Sequence, residues 1–125
     1  MRDDERDEAL IASILKDAQT VAARIAYFDL DEVRFVGDDS FEGRFRYDAV
    51  MMPVYTLVES ASRLSDGLME HLESCPWRDI KAFRNHVAHG YQTLNRTFAW
   101  EVAAHDIPEL VACLKDYADQ KGWGL

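Results

Sequence analysis

Apolar residues recur every three or four positions along most of this chain, a period that leaves room for little besides helices. Ile11, Ile14, Ala18, Val21, Ile25 and Phe28 form one such stripe, widened by Leu10, Leu15 and Ala22. At 100° per residue these side chains share a face, so the pattern predicts an amphipathic helix from about Asp4 to Phe28. The acidic residues at its start suit the positive end of the helix dipole. A second stripe runs through Val50, Val54, Leu57, Ala61, Leu64 and Leu68, with Tyr47, Met51 and Val58 beside it. It predicts a helix from about Phe45 to Leu64. Pro53 falls inside that helix and is expected to kink it or mark a restart, because proline removes a backbone donor.

The segments between and after these stripes carry punctuation. Asp29 to Gly43 loses the period and reads as a loop with a short helix around Leu30 to Phe35. Its acidic residues Asp29, Asp31, Glu32, Asp38 and Asp39 lack the ligand spacing of a calcium loop and read as solvated charge. Ser65-Asp66-Gly67 suggests a break, followed by a short helical turn through Leu72. Pro76 is suited to opening a helix, which would run from Trp77 to about His89, with Gly90 where a left-handed cap residue belongs. Asn95 is expected to cap a helix carrying Phe98, Val102 and Ala103. Asp106 is expected to cap a last helix, with Pro108 in its first turn and Ile107, Leu110, Val111, Leu114, Tyr117 and Ala118 as its stripe. A chain of 125 residues with only 6 glycines and 3 prolines reads as one all-α domain, residues 1–125.

Several function classes are disfavoured. No apolar run approaches the roughly 20 residues needed to span a bilayer. The opening Met1 to Glu8 is dense in charge and unlike a signal peptide, so a cytoplasmic location is expected. Cys75 and Cys113 form no CxxC pair and are expected to be reduced and inert. The net charge of −9 argues against a general nucleic-acid-binding surface, since phosphate contacts want Lys and Arg. The charge is uneven, however. From Pro76 to Thr97 the chain carries Arg78, Lys81, Arg84 and Arg96 against Asp79 alone, a local basic zone suited to an anionic ligand.

That zone contains the densest chemistry in the chain: Arg84-Asn85-His86-Val87-Ala88-His89-Gly90-Tyr91. Arginine grips phosphate through parallel hydrogen bonds, and histidine is the usual proton carrier near neutral pH. Together they could cut RNA without metal, one abstracting the 2′-hydroxyl proton and the other stabilising the charged transition state. The same groups could also merely bind a phosphate. His86 and His89 are spaced like metal ligands but have no HExxH pattern or carboxylate partner, so no metal is expected. On a helical wheel Ile80, Phe83, Val87 and Tyr91 share one face, and Arg84 falls within it. An arginine there needs a partner, for which Glu59 is the candidate, or else a cleft to line. Arg84 and His89 lie about 140° apart on an ideal helix. They converge on one ligand only if the helix deforms near Gly90, if the long arginine wraps round, or if a second protomer contributes.

The wider pattern is Pro76-Trp77-Arg78-Asp79-Ile80, then Arg84-Asn85-x-x-Ala88-His89-x-Tyr91, then Trp100-Glu101 and Asp106-Ile107-Pro108-Glu109-Leu110. It resembles the HepT-like family of HEPN-domain toxins, most closely from about Pro76 to Leu114. Glu59-Ser60-Ala61-Ser62-Arg63-Leu64-Ser65 is similar to part of that family's second helix. The resemblance implies a HEPN-type antiparallel bundle of four to five helices, forming a homodimer whose two motifs face a shared cleft. It implies metal-independent RNA cleavage by Arg84 and His89, with Asn85 orienting the catalytic groups; His86 lies outside the core signature and is expected only to support the site by polar contact with the cleft. It also implies a type VII toxin–antitoxin pair, in which an MNT-type nucleotidyltransferase antitoxin transfers AMP from ATP to Tyr91. No cofactor of the chain's own is expected. Two other readings use the same residues: a non-catalytic HEPN module that binds a nucleotide or serves a nucleotidyltransferase, and a dimeric adaptor in which Arg84 is only an ion-pair residue.

Overall fold

A computed structural model describes residues 2–90 and 95–125. Among them all regular structure is helical: α1 (Asp3–Tyr27), α2 (Glu32–Gly37), α3 (Phe41–Ser62), α4 (Asp66–His71), α5 (Trp77–Gly90), α6 (Arg96–Glu101) and α7 (Ile107–Lys121). A π-helical turn, Val102–Asp106, joins α6 to α7. The long elements α1, α3, α5 and the α6–α7 run make the bundle, and α2 and α4 are short connectors. No helix among the described residues is long and apolar enough to cross a membrane.

The predicted stripes supply the core. Ile11 and Ile14 from α1, Met51 and Leu57 from α3, Ile80 and Phe83 from α5, and Leu110 and Leu114 from α7 are all fully buried. Each such side chain contributes roughly 1.5–3 kcal/mol relative to exposure. α1 packs chiefly on α3 and also on α7, while α5 packs on α3 and on the π turn. Polar contacts fix the directions. Near the start of α1, Asp7 is buried and accepts the Ser65 backbone N–H at 2.9 Å and its hydroxyl at 2.6 Å, beyond the end of α3. Ser65 in turn caps α4 by accepting the Leu68 N–H. Lys121, at the end of α7, reaches Asp4 at 3.4 Å. Both α3 and α7 therefore run antiparallel to α1.

Three expectations are revised. First, α3 begins at Phe41, four positions before the predicted Phe45, because Ser40 accepts the Gly43 N–H and nucleates the turn early. Gly43 belongs to that turn, where any Cβ would collide with the carbonyl and carboxylate of Asp38. Second, α3 runs through Pro53 as a single helix. Proline leaves the carbonyl four residues back without its helical donor, and here Arg24 of α1 donates to that carbonyl, Ala49 O, at 2.6 Å. Third, Asp106 caps nothing: it has helical dihedrals and makes no capping bond. The chain instead widens into the π turn, where the Ile107 N–H reaches back to Val102 O. The wider turn accommodates the Pro108 ring, which would clash with a carbonyl in a continuous α-helix.

Candidate active site

The site sits where α5 lies against α3. Ile80 and Phe83 anchor α5 in the core and Val87 is half-buried, which turns Arg78, Lys81, Arg84, Asn85, Ala88 and His89 to solvent. At 100° per residue Arg78, Lys81, Asn85 and His89 fall within one narrow arc of the helix. His89 therefore lies on the same stripe as two cations. It also stands in the last turn of α5, where the dipole favours positive charge.

Arg84 leaves that stripe and turns towards α3. Its Nε donates to Glu59 Oε2 at 3.1 Å and its Nη2 to Oε1 at 3.5 Å, a forked contact. Glu59 is thus the partner anticipated from the helical wheel. Arg84 is not in a buried stripe, however: its side chain is 46 % exposed and that of Glu59 58 %. An ion pair this open contributes about 0–1 kcal/mol, so exchanging its partner costs little. The pair stands over a groove of about 250 Å³ lined by Tyr55, Val58, Phe83, Val87 and Ala88. Tyr55 was not anticipated. Its one signal in the sequence is its position four residues before Glu59, one turn away on α3. Burial, with the nearby Tyr55 phenol adding to it, pushes the Tyr47 phenol well above its usual range.

His86 has a structural task. Its Nε2 accepts the Asn95 backbone N–H at 3.3 Å, and its ring lies 5.7 Å from that of Phe98. Phe98 meets Phe83 edge-on at 5.2 Å. Asn95 caps α6 as expected, accepting from Thr97 and Phe98 N–H. His86 therefore ties the start of α6 to α5. The 91–94 segment, and with it Tyr91, lies outside the described residues. Gly90 lies within α5 and is not left-handed, since its φ is not positive. Because α5 keeps α-helical geometry through Gly90, a deformed helix does not bring His89 to Arg84. A wrapping arginine or a second protomer remains.

A second cluster lies at the other end of α5. Burial first, then the carboxylates of Asp79, Glu109 and Glu101, pushes Asp106 in the π turn up to about 6. Burial, and after it the nearby Cys113, raises the thiol of Cys75. Both are free. Among the described residues no three His, Cys, Asp or Glu side chains are grouped to hold a metal ion.

The family of HepT-like ribonucleases matches residues 23–117, a span that includes Glu59, Arg84 and His89. A curated protein of Methanocaldococcus jannaschii, named "Gamma-glutamylcyclotransferase and putative RNase", is 29 % identical over 73 residues. The alignment covers 58 % of this chain and 33 % of that protein, so the chain spans about a third of the relative's length. No solved structure matches. The family match takes in most of the helical bundle, including the α3–α5 groove with its arginine, and on that ground the chain belongs to the HepT-like ribonuclease family.

Proposed function

We propose that the chain is the toxin of a type VII toxin–antitoxin pair, a metal-independent endoribonuclease acting through Arg84 and His89 in the cytoplasm. The observation that carries this reading is the family match over residues 23–117, a span holding the complete Arg84, His89 and Tyr91 set. Exposure of Arg84 and His89 on a locally basic helix supports it. In the proposed reaction His89 takes the 2′-hydroxyl proton and that oxygen attacks the adjacent phosphorus. The P–O5′ bond breaks and the 5′-oxygen takes up a proton from solvent water, giving a 2′,3′-cyclic phosphate and a 5′-hydroxyl. Arg84 stabilises the charge that builds on the phosphoryl oxygens. General acid–base catalysis contributes on the order of 10²–10⁴ in rate.

The reading includes a homodimer, which would bring Arg84 of one protomer towards His89 of the other. Phe41, Phe45 and Met52 support it. They are 81 %, 60 % and 65 % exposed and share a face of α3 with Glu59 by helical phase. An apolar stripe leading to the site suits a subunit interface. The reading also includes silencing by an MNT-type antitoxin. The Tyr91 oxygen attacks the α-phosphorus of ATP, pyrophosphate leaves, the phenol proton is lost, and an AMP ester remains. Its negative charge would repel RNA and occupy Arg84.

One observation favours a non-catalytic HEPN partner of a nucleotidyltransferase instead: Arg84 is held by a carboxylate of its own chain. Expression of the wild type beside Arg84→Ala and His89→Ala separates the readings. Growth arrest and RNA cleavage by the wild type alone are expected. A wild type that cuts no RNA sinks the toxin, and two active variants sink the site. Intact mass after co-expression with the nucleotidyltransferase is expected to show AMP, mapped to Tyr91; its absence, or another acceptor residue, removes the silencing step.

A further inference from the structure

We infer that the groove between α3 and α5 is a base-binding subsite selective for guanine, and that Glu59 makes the selection. The inference rests on the ribonuclease reading for its biological meaning, but its chemistry is testable apart from cleavage. The groove is lined by the buried Val58 and Phe83, by Val87 and Ala88, and by the Tyr55 ring. Its volume of about 250 Å³ suits one planar ring system rather than a peptide segment or a helix. Tyr55 brings an aromatic ring to the groove, a surface of the kind on which bases stack. Proteins that read single-stranded RNA stack unpaired bases on such rings and bond their Watson–Crick edges.

The mouth of the groove carries a cation and an anion side by side. Arg84 is suited to the phosphate and cannot accept hydrogen bonds. Glu59 is suited to the opposite role: an ionised carboxylate only accepts, and its two oxygens lie in a plane. Guanine is the one common base with two adjacent N–H donors on its Watson–Crick edge, at N1 and the 2-amino group. Adenine and cytosine put one donor beside a ring nitrogen lone pair, and uracil flanks its single donor with carbonyls. A carboxylate therefore makes two parallel bonds to guanine and meets a repelling lone pair on each of the others. Glu59 already shows that two-toothed geometry towards Arg84, at 3.1 and 3.5 Å. When a phosphate draws the guanidinium away, the carboxylate is released next to a groove of base size. The pair thus couples the two events, because phosphate binding by Arg84 frees the acceptor that reads the base.

The test is direct binding of nucleoside 3′-monophosphates, followed by calorimetry or by chemical shift. These probes present a base and its own 3′-phosphate and cannot be cleaved. The folded wild type is expected to bind guanosine 3′-monophosphate about tenfold or more tightly than the adenosine compound, the size of one or two hydrogen bonds to a charged group. Inosine 3′-monophosphate, which lacks the 2-amino group, is expected in between. Glu59→Gln, at an exposed position, should fold normally by circular dichroism and lose the preference; Tyr55→Leu should weaken guanosine and adenosine probes alike. Equal affinities in the wild type, no binding of any probe, or a guanine preference that survives Glu59→Gln each overturns the subsite. If Glu59 merely held Arg84 in place, Glu59→Gln would weaken every probe by the same factor, which also overturns it. The ribonuclease reading fails separately: a wild type that binds the guanosine probe through Glu59 yet cuts no RNA loses the activity and keeps the subsite.

Discussion

Arg24 shows how much one side chain can do at a distance. Its guanidinium supplies the donor that Pro53 denies to the Ala49 carbonyl. Truncation to Arg24→Met should therefore cost about 0.5–1.5 kcal/mol, because the contact is solvent-exposed and water can take the lost donor's place. In a Pro53→Ala background the helix regains its own N–H at that position, and the same truncation should cost much less. Urea denaturation of the four proteins in a double-mutant cycle measures the difference. An equal cost in both backgrounds would show that the contact is incidental. The proline could be flagged in the sequence as an anomaly, but nothing local announces that an arginine from another helix resolves it.

At the scale of elements, the join of α5 to the π turn has a pH dependence that can be stated with its sign. Asp106 is raised to about 6, by burial first and then by Asp79, Glu109 and Glu101. A carboxyl raised in the folded state holds its proton more tightly there than in the unfolded chain, where it titrates near 4. Stability is thus greatest below the unfolded value, falls as pH rises from about 4 to about 6, and then levels off. Asp106→Asn should raise Tm at pH 7.5 and change it little at pH 4. A thermal shift of equal size at both pH values would show that the carboxyl plays no part. What was legible at this scale was local. The stripe from Leu10 to Phe28 repeats within a single helix, so its period suffices to predict α1. The α3 start was missed because Asp38-Asp39-Ser40 has the composition of a loop, and the same serine is a cap. The Asp106 cap was misplaced because aspartate before Ile107-Pro108 has the composition of a helix start. Only packing against α5 reveals a π turn. The site was legible where charge demands a partner, as with Arg84 and Glu59. Tyr55 and the groove depend on how α3 and α5 meet, which no single segment encodes.

For the whole molecule, the net charge of −9 disfavours a polyanion over most of the surface, and the basic arc of α5 is where the proposed RNA substrate would meet least repulsion. The exposed Phe41, Phe45 and Met52 on α3 lead away from the site and give the proposed dimer its surface. If the proposed dimer forms, Met52→Asp, a change at an exposed position, should convert it to a monomer in light scattering and abolish the proposed RNA cleavage together with it. A variant that keeps the wild-type mass would place the interface elsewhere.

The contact between Lys121 and Asp4 has a consequence for how such a bundle can be reused. The two outer ends of the helical unit emerge side by side, so the unit can be spliced into another protein's loop without spreading the insertion point. The same closeness means that the order of helices along the gene is not what holds the bundle together. A circularly permuted chain, with its old ends joined by a short glycine linker and new ends opened between α2 and α3, should keep the helical circular dichroism and cooperative melting of the original.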